Sequence, residues 1–377
     1  MSKSHAGPTP GQISKAAAEL KAGRLVIMPT ETVYGVAAMA SDSSALAALK
    51  ALPRPHNMPR PTDQPFSWHA PGRDAVIRAL GISKPLHVRI LEKLTPGPVR
   101  LLVPVGDARD AAAKLGVAAG AIDADGEFGV RVPDCPVARE VLAECGGTVV
   151  AERISAFGLG DGRSLPEDVE TKSAELGITS VLDDGPTRLG KPATTIRLNE
   201  DGTYDVLTED TLEARYIKRK LERHVLFVCT GNTCRSPMAE AIARQMIGST
   251  GRTDVPTFVS SAGAATRDGL AISAEARQVL RDMGIDAGAH RSHELTPEMI
   301  DLSDIIFAMT REHAELVLEM APSAKAKVKT LDSTGKDIPD PIGRPVQVYR
   351  ETAARIKECV AKRFEEAGVA MNAKSPD

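Results

Sequence analysis

One segment of the sequence, from Cys229 to Ser236, combines residue types and spacings that suit nucleophilic chemistry on a phosphate group. The apolar run His224 to Val228 predicts a buried parallel strand that ends at this segment. Ser236 followed by proline predicts a helix with Ser236 as its N-cap. A loop between such a strand and a helix N-terminus directs backbone N–H groups and the positive end of the helix dipole inward. That arrangement binds oxyanions and favours the thiolate form of Cys229.

The side chains of this loop match the requirements for phosphoryl transfer to sulfur. Arg235, six residues after Cys229, carries a planar guanidinium that can bind two phosphoryl oxygens at once. The Ser236 hydroxyl can donate a hydrogen bond to the Cys229 sulfur. Asn232, beside Gly231, is expected to fix the loop by adopting a left-handed backbone conformation. We therefore expect Cys229 to be the nucleophile and Arg235 to bind the phosphoryl group.

A cysteinyl phosphate also requires a proton donor for the leaving group and a base for the attacking water. Asp340 is the candidate because it lies in a proline-stiffened loop, Asp337 to Gly343. The residues predicted to bind phosphate or to support the loop are Thr230, Gly231, Asn232, Thr233, Cys234 and Ser236.

Strands and helices alternate regularly in the part of the chain that carries Cys229. This alternation predicts a three-layer, doubly wound α/β domain in which the loop after the first strand is an anion site. Further strands are expected at Thr257 to Ser260 and Ile305 to Met309, and further helices at Ser273 to Met283, Arg311 to Met320 and Val346 to Ala367.

The N-terminal half predicts a different α/β mixture. Apolar spacing predicts a helix over Ile13 to Leu20, and Arg24 to Met28 predicts a buried strand. The proline-rich segment Pro53 to Pro71 is expected to form neither a helix nor a central strand. Further strands are expected at Val99 to Val105, Gly129 to Val132, Thr148 to Ala151, Ser180 to Leu182 and Thr194 to Leu198, and helices at Pro136 to Glu144 and Pro166 to Leu176.

The chain has 377 residues, which is the length of about two domains. Its net charge is -3, with both signs mixed along the sequence, so we expect no strong nucleic-acid signal. Apolar runs are short and there are only five cysteines, so we expect a cytoplasmic protein without a membrane partner or disulfide framework. We assign residues 1–207 to one domain, 208–222 to a polar linker helix and 223–377 to a second domain.

The segments Val228 to Glu240, Ser261 to Gly263 and Asp340-Pro341 resemble the motifs of the low-molecular-weight protein-tyrosine-phosphatase family. The resemblance covers about residues 223 to 368. It implies a flavodoxin-like fold, a cysteinyl-phosphate intermediate and a phosphoprotein substrate. It also implies the same nucleophile, phosphate-binding arginine and general acid as those named above, with no metal and no other cofactor for the phosphatase.

Positions that line the substrate site in tyrosine-specific relatives lack aromatic residues here. The residue before the second loop cysteine is Thr233, Ile342 and Gly343 follow the Asp-Pro pair, and the segment Ala264 to Asp268 has no aromatic side chain. These features make the sequence more similar to the protein-arginine-phosphatase branch, in which a threonine at this loop position is expected to favour a phosphoguanidinium group. Phosphoarginine, phosphotyrosine and a small phosphoester remain alternative substrates.

Two further features of the second domain have simple interpretations. Cys234 lies five residues from Cys229, so it either forms a protective disulfide with Cys229 or packs within the loop. His290 and His293 have no third ligand at metal-binding spacing, so we expect loop histidines and no metal site.

Short motifs occur along the N-terminal domain between Ile13 and Leu207. They are Arg24 to Val36, Arg60 to His69, Pro96 to Pro98, Val130 to Asp134, Leu182 to Pro186 and Pro192 to Thr195. Their order resembles the YrdC-type threonylcarbamoyl-AMP synthase family. The resemblance implies a twisted, mostly open sheet with a basic cavity, and an activity that joins threonine, bicarbonate and Mg-ATP for a tRNA modification.

The candidate substrate pocket of this domain contains several hydroxyl groups and a cation. The hydroxyls either line a polar pocket or cap a turn. The predicted pocket residues are Thr30, Thr32, Tyr34, Arg60 and Thr194.

Several pocket positions depart from the family pattern. Met58 and Gln64 stand where the family has lysines that neutralise a triphosphate, and Arg100 stands where it has threonine. The loss of two cations predicts weaker ATP binding unless Arg100 or Arg153 substitutes for them. We therefore expect a degenerate synthase-like domain fused to the phosphatase. The alternatives are a bifunctional enzyme that also makes threonylcarbamoyl-AMP, and a phosphatase with a noncatalytic nucleotide- or RNA-binding module.

Overall fold

The computed structural model describes residues 7–55, 66–117, 122–124, 126–248 and 254–371. Contacts divide the chain into two compact units, Met1–Leu221 and Glu222–Asp377. Among the helices of the described residues, none has both the length and the apolar character needed to cross a bilayer.

The first unit is built on one mixed sheet with helices packed against it. Its strands, within the described residues, are β1 (Leu25–Met28), β2 (Gly35–Met39), β3 (Ser67–His69), β4 (Val99–Pro104), β5 (Asp123–Ala124), β6 (Glu127–Arg131), β7 (Val149–Arg153), β8 (Ile178–Val181), β9 (Thr194–Leu198) and β10 (Tyr204–Val206). Its helices are α1 (Pro10–Lys21), α2 (Ser43–Ala51), α3 (Arg73–Leu80), α4 (Pro85–Leu94), α5 (Ala108–Lys114), α6 (Pro136–Cys145), α7 (Val169–Glu175) and α8 (Ala214–Leu221). The strand order is β10-β9-β4-β6-β3-β7-β2-β1-β8, and β5 pairs with β6.

The register of the central strands separates a polar face from an apolar face. Arg131 on β6 lies opposite Arg100 on β4 and opposite His69 on β3. Because successive side chains point to opposite faces of a sheet, these three residues share one face. Leu101 and Val130 lie on the other face, where they are fully buried in the main apolar cluster. The sheet therefore presents basic and imidazole side chains together on one side.

Strand β3 lies at the centre of the sheet, between β6 and β7. The prediction that Pro53 to Pro71 contains no central strand was therefore wrong for the end of this segment. The reason is that no proline occurs between Pro65 and Pro71, so residues 66–70 keep the N–H groups that a strand ladder requires. Residues 56–65 of the same segment lie outside the described residues.

Helix α8 occupies the segment predicted to be a polar linker helix. Its Ile217 and Leu221 are buried in the apolar cluster of the first unit. The carbonyl of Leu221, at the end of the helix, has no donor within the helix. The buried Arg89 donates to it from Nε at 3.1 Å. The helix thus packs onto the first unit through its apolar side. The domain bounds assigned from the sequence stay a prediction.

The second unit is a parallel sheet with helices on both faces. Its described strands are β11 (Arg223–Cys229), β12 (Thr257–Gly263), β13 (Ile305–Ala308) and β14 (Val328–Thr330), and its described helices are α9 (Arg235–Ile247), α10 (Ala274–Asp282), α11 (Pro297–Leu302), α12 (Arg311–Met320) and α13 (Val346–Glu366). The order β12-β11-β13-β14, with parallel pairing throughout, places the first strand of the unit second in the sheet. This is the flavodoxin-like strand order, and it confirms the predicted fold class.

The carboxyl ends of the parallel strands in this unit meet at one edge of the sheet. Strand β11 ends at Cys229, and its neighbour β12 ends at Gly263, which is paired with Cys229 in register. Ligands of open α/β sheets bind outside this edge, where the strand order reverses. The loops after β11, β12 and β13 are therefore in the position to form a site together.

Asp332, which follows β14, fixes the start of the segment that leads to Asp340. Its carboxylate accepts hydrogen bonds from the backbone N–H and the hydroxyl of Thr334, both at 2.8 Å, and from Arg355 Nη2 at 2.6 Å. Burial by itself would raise the pKa of Asp332, but these hydrogen bonds outweigh it and lower the pKa to about 2.

We expect Asp332→Asn to lower the free energy of unfolding by about 2 kcal/mol at neutral pH. A carboxyl whose pKa is lower in the folded than in the unfolded protein stabilises the fold above its unfolded pKa, and this contribution is lost as the pH falls toward 2. Urea unfolding of the wild type and of Asp332→Asn at pH 7 and at pH 3 measures this contribution. The difference in unfolding free energy between the two proteins should be smaller at pH 3. Asp301→Asn, at an exposed position, is the matched control. Equal losses at the two positions would contradict the role of Asp332.

Candidate active site

Helix α9 begins two residues before the position predicted from the sequence. Its first residue is Arg235 and its N-cap is Cys234, so the prediction that Ser236 is the N-cap was wrong. Pro237 still lies in the first turn, where a missing N–H group leaves no intrahelical bond unmade. The hydroxyl of Ser236 is turned toward the loop and hydrogen-bonds there, which removes it from the capping role.

The sulfur of Cys229 is buried beneath the loop and faces hydrogen-bond donors. Its Sγ lies 2.9 Å from Ser236 Oγ and accepts from the backbone N–H of Asn232 at 3.3 Å. Ser236 Oγ itself accepts from Asn232 Nδ2 at 2.9 Å, so its own hydrogen can point to the sulfur. The Asn232 N–H and the Ser236 hydroxyl thus both face a sulfur that lies where an attacking nucleophile would be needed.

Asn232 holds the loop in shape through its unusual backbone conformation. Its φ of 50° is the left-handed conformation predicted from the sequence. The side-chain amide donates to Ser261 Oγ at 2.8 Å, and its oxygen accepts from the backbone N–H of His293 at 2.9 Å. These bonds tie the loop to the ends of two other segments and offset the strain of the left-handed conformation.

A second layer of polar side chains supports Asn232, and sequence reasoning did not predict it. Ser261 Oγ donates to Glu240 Oε2 at 2.6 Å, and His290 Nε2–H donates to the Asn232 carbonyl at 2.9 Å. The His290 ring also lies 3.9 Å from Glu240 Oε2. The sequence predicts a loop histidine here because no third ligand stands at metal-binding spacing, and the bond to Asn232 gives this histidine its place in the supporting layer.

Arg235 and Asp340 contact each other at the mouth of the loop. Arg235 Nη2 donates to Asp340 Oδ2 at 2.5 Å, and Nη1 donates to the Ile338 carbonyl at 3.2 Å. The Arg235 side chain is only 6% exposed, whereas that of Asp340 is 40% exposed. The Ile338 carbonyl thus holds the buried guanidinium of Arg235, while the Asp340 carboxyl remains accessible to solvent.

Gly263 makes room for the loop at the end of β12. A Cβ atom at this position would lie 2.8 Å from the Thr230 carbonyl oxygen and 2.6 Å from Thr266 Cγ2. The carbonyls of Cys229 and Thr230 accept from the backbone N–H groups of Ala264 and Ala265, at 2.8 and 3.0 Å. Close backbone approach and these bonds hold the first half of the loop against β12.

Thr233 and Cys234 form the outer half of the loop. Thr233 is half-buried, and its carbonyl accepts from the Ser273 N–H at 2.9 Å. The free Cys234 thiol is buried, with its sulfur 3.6 Å from the hydroxyl of Tyr349. Burial and the contact with Cys234 raise the pKa of Tyr349 to about 12, so this hydroxyl is protonated and can donate to the sulfur.

In the first unit, two of the predicted pocket residues lie together and have different roles. Thr30 Oγ1 donates to the Val33 carbonyl at 2.6 Å and receives the Val33 N–H at 3.2 Å, which is the turn-capping alternative. Thr32 Oγ1 lies 2.9 Å from Thr30 Oγ1 and accepts from Arg131 Nη1 at 3.0 Å. Arg131 also forms a buried ion pair with Glu31 at 2.8 Å. Thr32 therefore faces the polar side of the sheet.

The polar face carries further groups suited to an anion. Arg100 Nε donates to Ser67 Oγ at 2.8 Å, and His69 Nδ1–H donates to the Ser67 carbonyl at 2.9 Å. Burial, together with the charge of Arg131, lowers the pKa of His69 to about 3, so this imidazole is neutral. The buried Nε of Arg131 has no hydrogen-bond partner among the described residues. A buried cationic donor of this kind is suited to an anionic ligand.

The other predicted pocket residues serve the backbone or lie outside the described residues. The Tyr34 hydroxyl donates to the Gly185 carbonyl at 2.7 Å and accepts from the Asp184 N–H at 2.9 Å. Thr194 Oγ1 accepts from the N–H of Leu212 at 2.7 Å. Their hydroxyls join the strands to neighbouring loops, and neither bonds to Thr30 or Thr32. Arg60 lies outside the described residues.

Comparison with known families assigns each of the two units to a family. Residues 224–372 match the family model described as low molecular weight phosphotyrosine protein phosphatase. Residues 18–209 match the Sua5/YciO/YrdC model, whose description is telomere recombination. The chain belongs to both families. The segment that carries Cys229 lies in the phosphatase-family part, and the polar sheet face lies in the YrdC-family part.

Individual relatives are similar to one unit each. A protein-arginine-phosphatase of Geobacillus stearothermophilus is 40% identical over 147 residues, which are 37% of this chain and 93% of that protein. A low molecular weight protein-tyrosine-phosphatase, Ptp of Acinetobacter johnsonii, is 32% identical over 141 residues, 37% of this chain and 94% of that protein. A putative threonylcarbamoyl-AMP synthase of Mycobacterium tuberculosis is 35% identical over 190 residues, 49% of this chain and 78% of that protein.

Proposed function

We propose that residues 223–377 form a cysteine-dependent protein phosphatase domain, joined through residues 208–222 to a YrdC-like domain at residues 1–207. The observation that carries the proposal is the environment of Cys229, whose sulfur receives donors from Ser236 and Asn232. Arg235 follows the loop as the first residue of α9, with its guanidinium held by the Ile338 carbonyl. A nucleophile, an anion-binding loop and an acid candidate thus meet at one edge of the sheet. Free cysteines throughout the chain fit a cytoplasmic location.

The proposed reaction proceeds through a cysteinyl phosphate. The Cys229 sulfur attacks phosphorus, the bond from phosphorus to the leaving nitrogen or oxygen breaks, and protonated Asp340 gives its proton to the leaving atom. The Asp340 carboxylate then takes a proton from water as the water oxygen attacks phosphorus. The phosphorus–sulfur bond breaks, which releases inorganic phosphate and returns the Cys229 thiolate. Arg235 stabilises the equatorial oxygens in both steps.

The contact between Arg235 and Asp340 suggests how binding prepares the acid. Phosphoryl oxygens in the loop compete with the Asp340 carboxylate for Arg235 Nη2, because a guanidinium donor binds either oxyanion. Displaced from the guanidinium, the Asp340 carboxyl no longer has Arg235 Nη2 as its hydrogen-bond donor and can turn away from it. Its exposed position then lets it reach the leaving group.

We propose phosphoarginine in proteins as the preferred substrate. Thr233 is half-buried in the loop, and the side chain after the Asp-Pro pair is the aliphatic Ile342, which is 65% exposed. The segment Ala264 to Asp268 offers no aromatic wall for a phenyl ring. The higher identity to a protein-arginine-phosphatase supports this choice. Phosphotyrosine is the second candidate, supported by the similarity to the Acinetobacter tyrosine phosphatase.

Phosphate release from matched phosphoarginine and phosphotyrosine peptides by the full-length protein tests the proposal. We expect faster release from the phosphoarginine peptide. A higher kcat/KM for phosphotyrosine would select the second candidate, and no release from either peptide would contradict a phosphatase function.

Thr233→Ile should shift the ratio of kcat/KM values by about tenfold toward phosphotyrosine. The substitution removes a hydroxyl and adds apolar surface on which a phenyl ring can pack. The same substitution at Thr257, which begins β12 at the end of the strand opposite the loop, is the matched control. An unchanged ratio in Thr233→Ile would show that this residue does not select the substrate.

For the YrdC-like domain we propose binding of an anionic ligand, a nucleotide or threonine, on the polar face. Arg100 and the unpartnered Nε of Arg131 support this proposal, since they suit phosphate or carboxylate oxygens. Bound Mg-ATP would supply the phosphoanhydride whose cleavage a synthase uses. Pyrophosphate release that requires both threonine and bicarbonate would establish the bifunctional alternative.

Calorimetry of the full-length protein with Mg-ATP and with threonine tests the binding proposal. We expect Arg100→Ala to weaken binding of the ligand at least about tenfold, because an ionic hydrogen bond is lost. Arg109→Ala, at an exposed position of α5, should leave binding unchanged. If neither Mg-ATP nor threonine gave a heat of binding, both would be excluded as ligands of this domain.

A further inference from the structure

His313 connects the start of α12 to the phosphate-binding loop. The ring is buried, with Nδ1 2.7 Å from Thr310 Oγ1 and Nε2 2.8 Å from Thr230 Oγ1. Thr310 is the N-cap of α12, and Thr230 is the exposed residue directly after Cys229. His313 is therefore the middle member of a series of hydrogen bonds that runs from the N-cap of α12 to the rim of the site.

The hydrogen bonds at Thr310 assign the tautomer of His313. Thr310 Oγ1 accepts the backbone N–H of His313 at 3.2 Å, and among the described residues Nδ1 is the one acceptor within reach of its hydrogen, so the hydroxyl donates to Nδ1. Burial and the charge of Arg235 lower the pKa of His313, so the ring is neutral at neutral pH. A neutral imidazole that accepts at Nδ1 carries its hydrogen on Nε2. His313 thus donates to Thr230.

This assignment determines what the Thr230 hydroxyl can do. Its oxygen accepts from His313 Nε2 and, at 3.5 Å, from Arg235 Nη2. With both lone pairs engaged, the hydroxyl hydrogen remains for an acceptor. Arg235 Nη2 also donates to Asp340 Oδ2, so any oxygen that replaces the carboxylate there lies beside the Thr230 hydroxyl.

We propose that His313 is a positioning residue that makes the Thr230 hydroxyl a hydrogen-bond donor to the phosphoryl oxygen bound by Arg235. The inference rests on the proposed function in taking the loop to bind phosphoryl groups. It adds to that function a side-chain donor beyond the loop N–H groups and Arg235. Thr230 contacts the phosphoryl group, and His313 acts through Thr230.

Binding of inorganic phosphate to the full-length protein, measured by calorimetry, tests the proposal without requiring turnover. We expect Thr230→Val and His313→Leu each to weaken phosphate binding by about tenfold, since each removes or misdirects one hydrogen bond to a charged group. In the Thr230→Val background, His313→Leu should have no further effect. His313→Gln, which places an amide donor near the position of Nε2, should restore most of the affinity. His87→Leu, at a buried histidine of the first unit, should not change it.

The imidazole nitrogens of His313 provide a second readout, through nitrogen NMR of the labelled protein. We expect the Nε2–H tautomer in the wild type and a changed Nε2 signal in Thr230→Val. An Nδ1–H tautomer, or equal losses from His313→Leu in both backgrounds, would overturn the proposal. If His313→Leu does not fold, phosphate binding by His313→Gln and Thr230→Val still tests the proposal. Wild-type affinity in Thr230→Val would overturn it. The expected binding pattern without Cys229-dependent phosphate release would refute the phosphatase function while supporting this inference.

Discussion

Cys229→Ser is expected to abolish phosphate release, lowering kcat/KM by at least about 10⁴-fold for every phosphorylated substrate. The hydroxyl of serine is a far weaker nucleophile than a thiolate at neutral pH, and the donors around the sulfur do not change this difference. Ser236 Oγ and the Asn232 N–H would contact a serine oxygen at this position as they contact the sulfur, so the loss is one of nucleophilicity. Steady-state phosphate release from the two matched peptides measures the effect.

The binding loop should survive this substitution, which separates chemistry from binding. Backbone N–H groups and Arg235 remain in place, so inorganic phosphate should bind Cys229→Ser with close to wild-type affinity. Cys359→Ala, at a buried thiol of α13, is the matched control and should keep full activity. Substantial release by Cys229→Ser would mean that another residue is the nucleophile.

The local geometry of the phosphatase loop could be predicted because its causes are local in the sequence. The apolar run before Cys229 requires a buried strand, and Asn232 beside Gly231 favours a left-handed turn. The structure has both features, with Asn232 at a φ of 50°. The N-cap was misplaced by two residues because Ser236 has a stronger partner in the Asn232 side-chain amide than in its own helix.

The supporting residues could not be predicted because their contacts join distant parts of the chain. His290 is 58 residues from the Asn232 carbonyl that it binds, and His313 is 83 residues from Thr230. Nothing in the spacing of either histidine indicates a partner. Only the order of the parallel strands, which brings the loops after β11, β12 and β13 to one edge, places these side chains near the loop.

The first unit shows the opposite case, in which local signals were misleading. The crowding of prolines before Phe66 indicated a loop, and β3 nevertheless lies at the centre of the sheet. A three-residue strand gives little periodicity to detect, and its place is determined by pairing with β6 and β7. The polar face that contains His69 and Arg131 follows from that pairing, so the sequence alone did not reveal it.

Asp340→Asn is expected to lower phosphate release by about 10² to 10³-fold for substrates with poor leaving groups. An amide cannot transfer a proton to the leaving atom, and a departing alkoxide or phenolate of high basicity needs that proton. Aryl phosphates whose leaving groups are weak bases depart without it, so their rates of phosphoenzyme formation should fall much less. A series of aryl phosphates of graded leaving-group pKa, followed by rapid mixing, measures this dependence. Asp337→Asn, three residues earlier in the same segment, is the matched control.

Binding of inorganic phosphate distinguishes the loss of an acid from damage to the phosphate clamp. Asp340 accepts from Arg235 Nη2, so its carboxylate competes with phosphoryl oxygens for the same donor. Asp340→Asn removes that competing charge while the Ile338 carbonyl still holds Nη1, and phosphate should therefore bind at least as tightly as in the wild type. Slower release with undiminished phosphate binding is the combination that a general acid requires. Weaker phosphate binding would instead assign Asp340 the task of orienting Arg235, and the proton donor would have to be another group.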